Sequence, residues 1–240
     1  MEQLGVHIGF GPIWLVIDKG GPVVVVIGLI SIVALAVALA KFVQFAAIGV
    51  GRGRAIAPAI GAWGQGETDR ALARLARHRS PAARSVACAI RHIEVGRDEA
   101  IAREDAARVA EDGLAGLRSH LRVLEAASQV APLLGLFGTV LGMMSAFQAL
   151  QAAGGEADPA ALAGGIWVAL ITTAVGLAVA IPAGLALYWF EGRIERDTVL
   201  AETALAQVFT TRDDISRAAG RARPDAEPAM TSAEGRHAAE

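Results

Sequence analysis

The 240-residue chain reads as an all-α integral membrane protein, with three transmembrane helices and long cytoplasmic helical extensions, its N-terminus outside and its C-terminus inside. Three observations predict this. The composition is 54% hydrophobic but only 5% aromatic, with a mean hydropathy of +0.45, well away from soluble averages. The apolar residues gather in blocks without charge at residues 22–40, 130–150 and 160–190. Lys and Arg alternate between the flanks, with one in residues 1–20, 14 in 41–129, none in 151–159 and seven in 191–240. Since about 20 helical residues cross about 30 Å of hydrocarbon, three spans with both basic flanks inside satisfy the positive-inside rule.

Residues 1–20 are expected on the outer side. They carry Glu2 and Asp18 and a single basic residue, Lys19, so they lack the basic start of a secretory signal and are expected to be retained. Phe10, Ile13, Trp14 and Ile17 suit a short interfacial helix over residues 8–17 anchored by Trp14; an unstructured end is the other reading. The first span is placed at residues 21–50. Its one charge, Lys41, is close enough to the inner face to snorkel.

Residues 51–129 form a cytoplasmic region of helical pattern. Ser80 and Pro81 have N-cap and N1 chemistry, and Gly96 is a suitable stop for a helix lined by Val86 and Ile90. A second helix can start at Asp98, where Leu114, Leu117, Leu121 and Leu124 repeat at +3, +4, +3 as a seam for a neighbour. Glu104 and Arg108 are spaced as an i, i+4 ion pair on it. With no Pro or Gly-rich break before Pro132, one helix is expected to run from Asp98 through the second span, residues 130–150, kinked near Pro132. Residues 151–159 make the outer turn, with Asp158 and Pro159 as N-cap and N1 of the third span, residues 160–190. A cytoplasmic helix over 191–215 and a disordered tail over 216–240 complete the chain.

Several function classes fall away on composition. Gly49, Gly51 and Gly53 are not a phosphate loop, because no strand precedes them and no Lys-Ser/Thr follows. The five His residues show no ligand spacing and Cys88 is alone, so neither a metal, a cofactor nor a disulfide is expected. Ser80, Ser85 and the inner acids form no nucleophile and base set, so no enzyme is expected. A net charge of −2 makes no case for nucleic acid.

The second and third spans carry the informative residues. Gly135, Gly138, Thr139 and Gly142 crowd one side of the second, and Ala169, Thr173, Gly176, Ala180 and Gly184 follow at +4, +3, +4, +4 on the third. Small residues let helix backbones approach closely where lipid supplies no hydrophobic drive, so tight packing is one reading of both faces. Counted from the outer turn at about 1.5 Å per residue, Thr139 and Thr173 both lie roughly 16–20 Å inward. They could form a polar ring about an axis, or each could bond back to its own helix. Apart from Lys41, just past the first block, the spans hold no Asp, Glu, His, Lys or Arg, so the chain alone has no titratable relay at depth.

APLLGLFGTVLGM, a short outer turn, and then GGIWVALITTAVGLAVAIPA resemble the membrane core of the ExbB, TolQ and MotA family of proton-driven motor subunits, nearer to ExbB and TolQ than to MotA. The resemblance implies a homopentamer in the bilayer of a bacterial inner membrane, around an ExbD- or TolR-like single-span partner whose membrane Asp supplies the missing carboxylate. It also implies that the work passes to a TonB- or TolA-like protein spanning the periplasm. Thr139 and Thr173 match the family's pore threonines and Pro182 falls on its last-span pattern, with Gly135, Gly138, Gly142, Thr172 and Gly176 as pore or packing positions. Val168 stands where ExbB and TolQ typically carry Glu. A non-conducting scaffold of the same fold is the alternative. Proton against sodium, and nutrient import against envelope maintenance, stay open.

Overall fold

The computed structural model describes residues 11–221 except 52, 54, 55 and 153–158. Among these, seven helices and no strand are found: α1 (Gly11–Ile48), α2 (Ile56–Gly64), α3 (Thr68–Ala76), α4 (Pro81–Glu94), α5 (Glu99–Arg118), α6 (Leu121–Ala152) and α7 (Pro159–Arg221). Three helical stretches are long and apolar enough to cross a membrane: Gly21–Ile48, Glu99–Ala152 and Leu162–Arg212. The chain is an all-helical membrane protein.

α1 is two helices joined at Gly21, whose φ of 63° and ψ of −167° are open to glycine without a β-carbon clash. Pro22 follows, with the fixed φ that suits a new helix start. Residues 11–20 are therefore a short helix set off from the span, and the remainder of the N-terminal segment lies outside the described residues. Past the break, Val23 and Ile27 pack inward on Ala131 and Ala180, while Ile32, Leu35 and Val43 face outward.

Beyond the spans, α2 to α5 wrap the far half of α7. Ile60, Trp63, Leu75, Val86, Ile90, Val208 and Phe209 form one buried cluster there. The helix ends follow the local chemistry. Ser80 Oγ accepts from the Ala83 N–H at 3.3 Å, Pro81 occupies N1, and Gly96 closes α4 at φ 75°. Asp98 Oδ1 accepts from the Ala100 N–H at 2.9 Å and starts α5.

Three expectations are corrected. Asp98 to Leu150 is not one helix: α5 ends at Arg118 and α6 begins at Leu121, with His120 between them at φ 63°. No Gly or Pro marks this break; it is held by tertiary bonds described below. The leucine seam nevertheless crosses it, since Leu114, Leu117, Leu121 and Leu124 are all buried in one cluster with Ala34, Phe45, Ala183, Phe190 and Ile194. Arg108 pairs with Asp105, not Glu104, because Asp105 lies half-buried toward α4, within 3.4 Å of His92 and 3.7 Å of Arg97. Lys41 does not snorkel but is buried.

α7 continues to Arg221, past residue 215 where its end was expected, because Ala- and Arg-rich sequence sustains a helix. Asp158 and residues 222–240 lie outside the described residues, whereas Pro132 and Pro182 sit inside continuous helices.

Candidate functional site

α6 and α7 run antiparallel and touch through their small residues. A β-carbon added at Gly165 would lie 2.5 Å from Ala146 Cβ, one at Gly142 would lie 3.1 Å from Ala169 Cβ, and one at Gly138 would lie 2.7 Å from Thr172 Oγ1. At Gly135 it would lie 3.0 Å from the Thr173 Cα, and at Gly176 it would meet the Ala131 carbonyl oxygen at 2.5 Å. Glycine at these positions is therefore required by the distance between the two helices, consistent with close backbone approach where lipid offers no other drive.

The packing of the pair brings Thr172, Thr173, Gly135, Gly138 and Gly176 together. Thr172 is buried, its hydroxyl 2.8 Å from the Ala169 carbonyl oxygen and 3.4 Å from that of Gly135, so one proton is shared between its own helix and the neighbour. Thr173 is half-buried and donates across the interface to Gly135 O at 3.1 Å. Thr139 is half-buried one turn further along α6 and donates to Leu136 O of its own helix at 2.6 Å. The Thr172 and Thr173 hydroxyls thus both reach the Gly135 carbonyl.

The buried line on α7 is Ala169, Thr172, Gly176, Ala180 and Ala183, in place of the expected Ala169, Thr173, Gly176, Ala180 and Gly184. Steps of three and four both satisfy a 3.6-residue period, so spacing alone does not choose between Thr172 and Thr173. Val168 is half-buried, one turn from Gly165 on one side and from Thr172 on the other, and Pro182 is exposed.

Residues 77–203, covering α4 to α6 and most of α7, match the model of the MotA/TolQ/ExbB proton channel family. The chain belongs to this family. It is 34% identical over 188 residues to a putative biopolymer transport protein ExbB homolog of Methanothermobacter thermautotrophicus, an alignment that takes in 78% of this chain and 65% of that protein. It is 44% identical over 82 residues to the biopolymer transport protein exbB1 of Vibrio cholerae, covering 34% of this chain and 36% of that protein. The Tol-Pal system protein TolQ of Pseudomonas aeruginosa is 44% identical over 79 residues, 33% of this chain and 34% of that protein. The chain thus spans about two thirds of the length of the first relative and about a third of the other two.

In this MotA/TolQ/ExbB chain two buried charges anchor the end of the membrane core opposite the connection between α6 and α7. Lys41 is 4% exposed, and its Nζ donates to Leu117 O at 2.9 Å and Gln44 Oε1 at 2.9 Å, with Gly116 O at 3.5 Å and Ser119 Oγ at 3.4 Å. Breaking the helix at Ser119 and His120 removes the i+4 N–H partners of those carbonyls. Lys41 supplies the replacement and sets a positive charge at the negative end of α5.

Asp197 on α7 is 1% exposed and does the reverse. Its Oδ1 accepts from the Gly51 N–H at 3.1 Å and its Oδ2 from the Ala82 N–H at 3.2 Å, the latter at the positive N-terminal end of α4. Among the described residues no cation pairs with it. Burial pushes its carboxyl above the ordinary Asp range, against the pull of the two backbone donors. The bond to Gly51, at φ 73°, also gives the first glycines of the GVGRGR run a structural use as the turn from α1 onto α7.

Sequence reading did not assign these two roles, although a signal existed. Asp197 falls on the stripe Phe190, Ile194, Asp197, Ala201, Ala204 and Val208, and Lys41 on Ala34, Ala38, Lys41 and Phe45. Each is a lone charge at helical spacing on an otherwise apolar face.

Proposed function

We propose that the chain is the proton-channel and motor subunit of an ExbB-ExbD- or TolQ-TolR-like complex in a bacterial inner membrane. In this reading it is a homopentamer with its N-terminus outward, coupling the proton motive force to a TonB- or TolA-like protein across the periplasm. The observation that carries the reading is the α6–α7 pair. It presents the Thr139 and Thr173 hydroxyls at half-buried positions, with their protons spent on backbone carbonyls and their lone pairs left to accept from water or a hydrated proton. From residue 126 to 152 of α6 and from 159 to 190 of α7 there is no Asp, Glu, His, Lys or Arg. The titratable carboxylate then comes from an ExbD- or TolR-like single-span partner, and Gly135, Gly138, Gly142 and Gly176 hold the helices close enough to line its path. The family match and the relatives' names support this reading. Each proton crossing is worth about 2.3 kcal/mol per 100 mV, so a few protons suffice to drive a rearrangement.

The test is proton flux into vesicles holding the chain together with such a partner, followed by an internal pH dye. Thr139→Val and Thr173→Val are each expected to lower flux about tenfold or more while the pentamer and the partner stay assembled. Unchanged flux in both variants would overturn the assignment of these hydroxyls. A second reading, a non-conducting scaffold of the same fold, is favoured by Val168 at the position where a Glu is typical. It predicts no flux from the wild-type complex with partner binding intact.

A further inference from the structure

The extramembrane domain holds a basic cavity unrelated to the membrane pair. It has a volume of about 430 Å³ and lies along one face of α4 and the turn before it. His78, Arg79, Arg84, Cys88, Arg91 and His92 contribute to its lining, and no Asp or Glu does. Arg84, Cys88 and Arg91 follow at +4 and +3, a single face of α4, and Arg79 continues the line beyond the helix start.

Several other arginines of this domain have partners, although among the described residues Arg77 has none. Arg70 pairs with Glu67, Arg103 with Glu99, and Arg108 with Asp105. Among the described residues Arg79, Arg84 and Arg91 make no side-chain hydrogen bond or ion pair. The nearest acid, Asp105, stands behind His92, 3.4 Å from its Nδ1, and is engaged by Arg97 and Arg108. His92 Nε2 lies on the Cys88 side, 4.0 Å from Sγ. Burial raises the Cys88 thiol above its usual range, so it adds no negative charge to the cavity at neutral pH.

Three arginines without a partner, lining one concavity that no acid lines, are a binding arrangement for an oxyanion. Each planar fork pairs two N–H donors with two oxygens, and phosphate offers the densest such charge in a space of this size. We propose that this cavity binds a small phosphate-bearing anion, either free in solution or as the headgroup of an anionic phospholipid.

Titration calorimetry on the full chain in nanodiscs tests it, with inorganic tripolyphosphate as the probe in discs of pure phosphatidylcholine. Saturable binding that falls with ionic strength is expected, weakened about tenfold or more in the double variant Arg84→Gln/Arg91→Gln. Arg70→Gln/Arg122→Gln, with the same charge change on exposed residues outside the cavity, should leave it intact. Because Arg84 and Arg91 are exposed and unbonded, the melting temperature should not move, which separates lost binding from lost fold. A second arm uses native mass spectrometry of protein from discs containing phosphatidylglycerol. Wild type that ignores tripolyphosphate but retains this lipid, and loses it in the double variant, identifies the headgroup as the source. If neither probe responds to the Arg84 and Arg91 changes, the proposal is overturned.

Discussion

Gly176 lies so close to Ala131 that a β-carbon on it would stand 2.5 Å from the Ala131 carbonyl oxygen, while the equally tight contact at Gly165 is with the Ala146 side chain. The two contacts differ in whether they can be relieved. Gly165→Ala should destabilise the α6–α7 pair by about 1–3 kcal/mol, and adding Ala146→Gly should restore most of it. Gly176→Ala should cost at least as much, and trimming Ala131 to Gly should restore nothing, because the obstructing atom is backbone. Thermal unfolding of the single and double variants in detergent reads this. Equal rescue at both sites would show that the helices simply slide apart.

Lys41 holds the joint between α5 and α6 by donating to Leu117 O at 2.9 Å. Lys41→Met keeps the length and apolar stem but leaves the last carbonyls of α5 buried without their donor. The expected loss is about 1–3 kcal/mol. Hydrogen exchange should accelerate around residues 119–123, where the break depends on this contact, and much less in α4. A uniform acceleration would mean that Lys41 acts on the whole fold and not on the joint.

The same residues show what a reader of the sequence could and could not extract. Apolar block length placed the spans, and Ser80, Gly96 and Asp98 marked helix ends, because capping is local chemistry. The close pair was foreshadowed by Gly135, Gly138, Gly142 and Gly176, whose only shared property is smallness. The break at His120 was not legible, since its cause lies on α1, 79 positions earlier in the chain at Lys41. Nor was the choice of Thr172 over Thr173 for the buried face, which the crossing of two helices decides and periodicity does not.

Asp197 should give stability a pH dependence of known sign. Burial raises its carboxyl pKa in the folded chain above the ordinary value of 3.8, so the folded state binds the proton more tightly than the unfolded state does. That stabilisation is fully present below the unfolded value and is lost as pH rises through the raised folded value. Asp197→Asn removes the titration and also faces one of the two N–H donors, of Gly51 or Ala82, with an amide N–H. The variant should be less stable than wild type at neutral pH, and the gain that wild type shows on mild acidification should be smaller in it. Melting curves from neutral pH toward pH 4 check both, and parallel curves for the two proteins would assign the pH response to other groups.

Val168 offers the sharpest probe of whether the α6–α7 face meets the proton path. It is half-buried, flanked one turn away by Gly165 and Thr172, and stands on a stretch of α7 that carries no charge from residue 159 to 190. Placing a carboxyl there by Val168→Glu creates a group whose charged form is disfavoured at membrane depth, so its pKa should rise toward neutrality, where it can both take and release a proton. If the path runs along this face, vesicles with the partner should show a proton flux raised about tenfold, with a new titration near neutral pH. Val168→Gln has the same shape without the exchangeable charge and should show neither change. If Glu and Gln behave alike, the position serves packing only, and the path must be sought on the Thr139 side of α6.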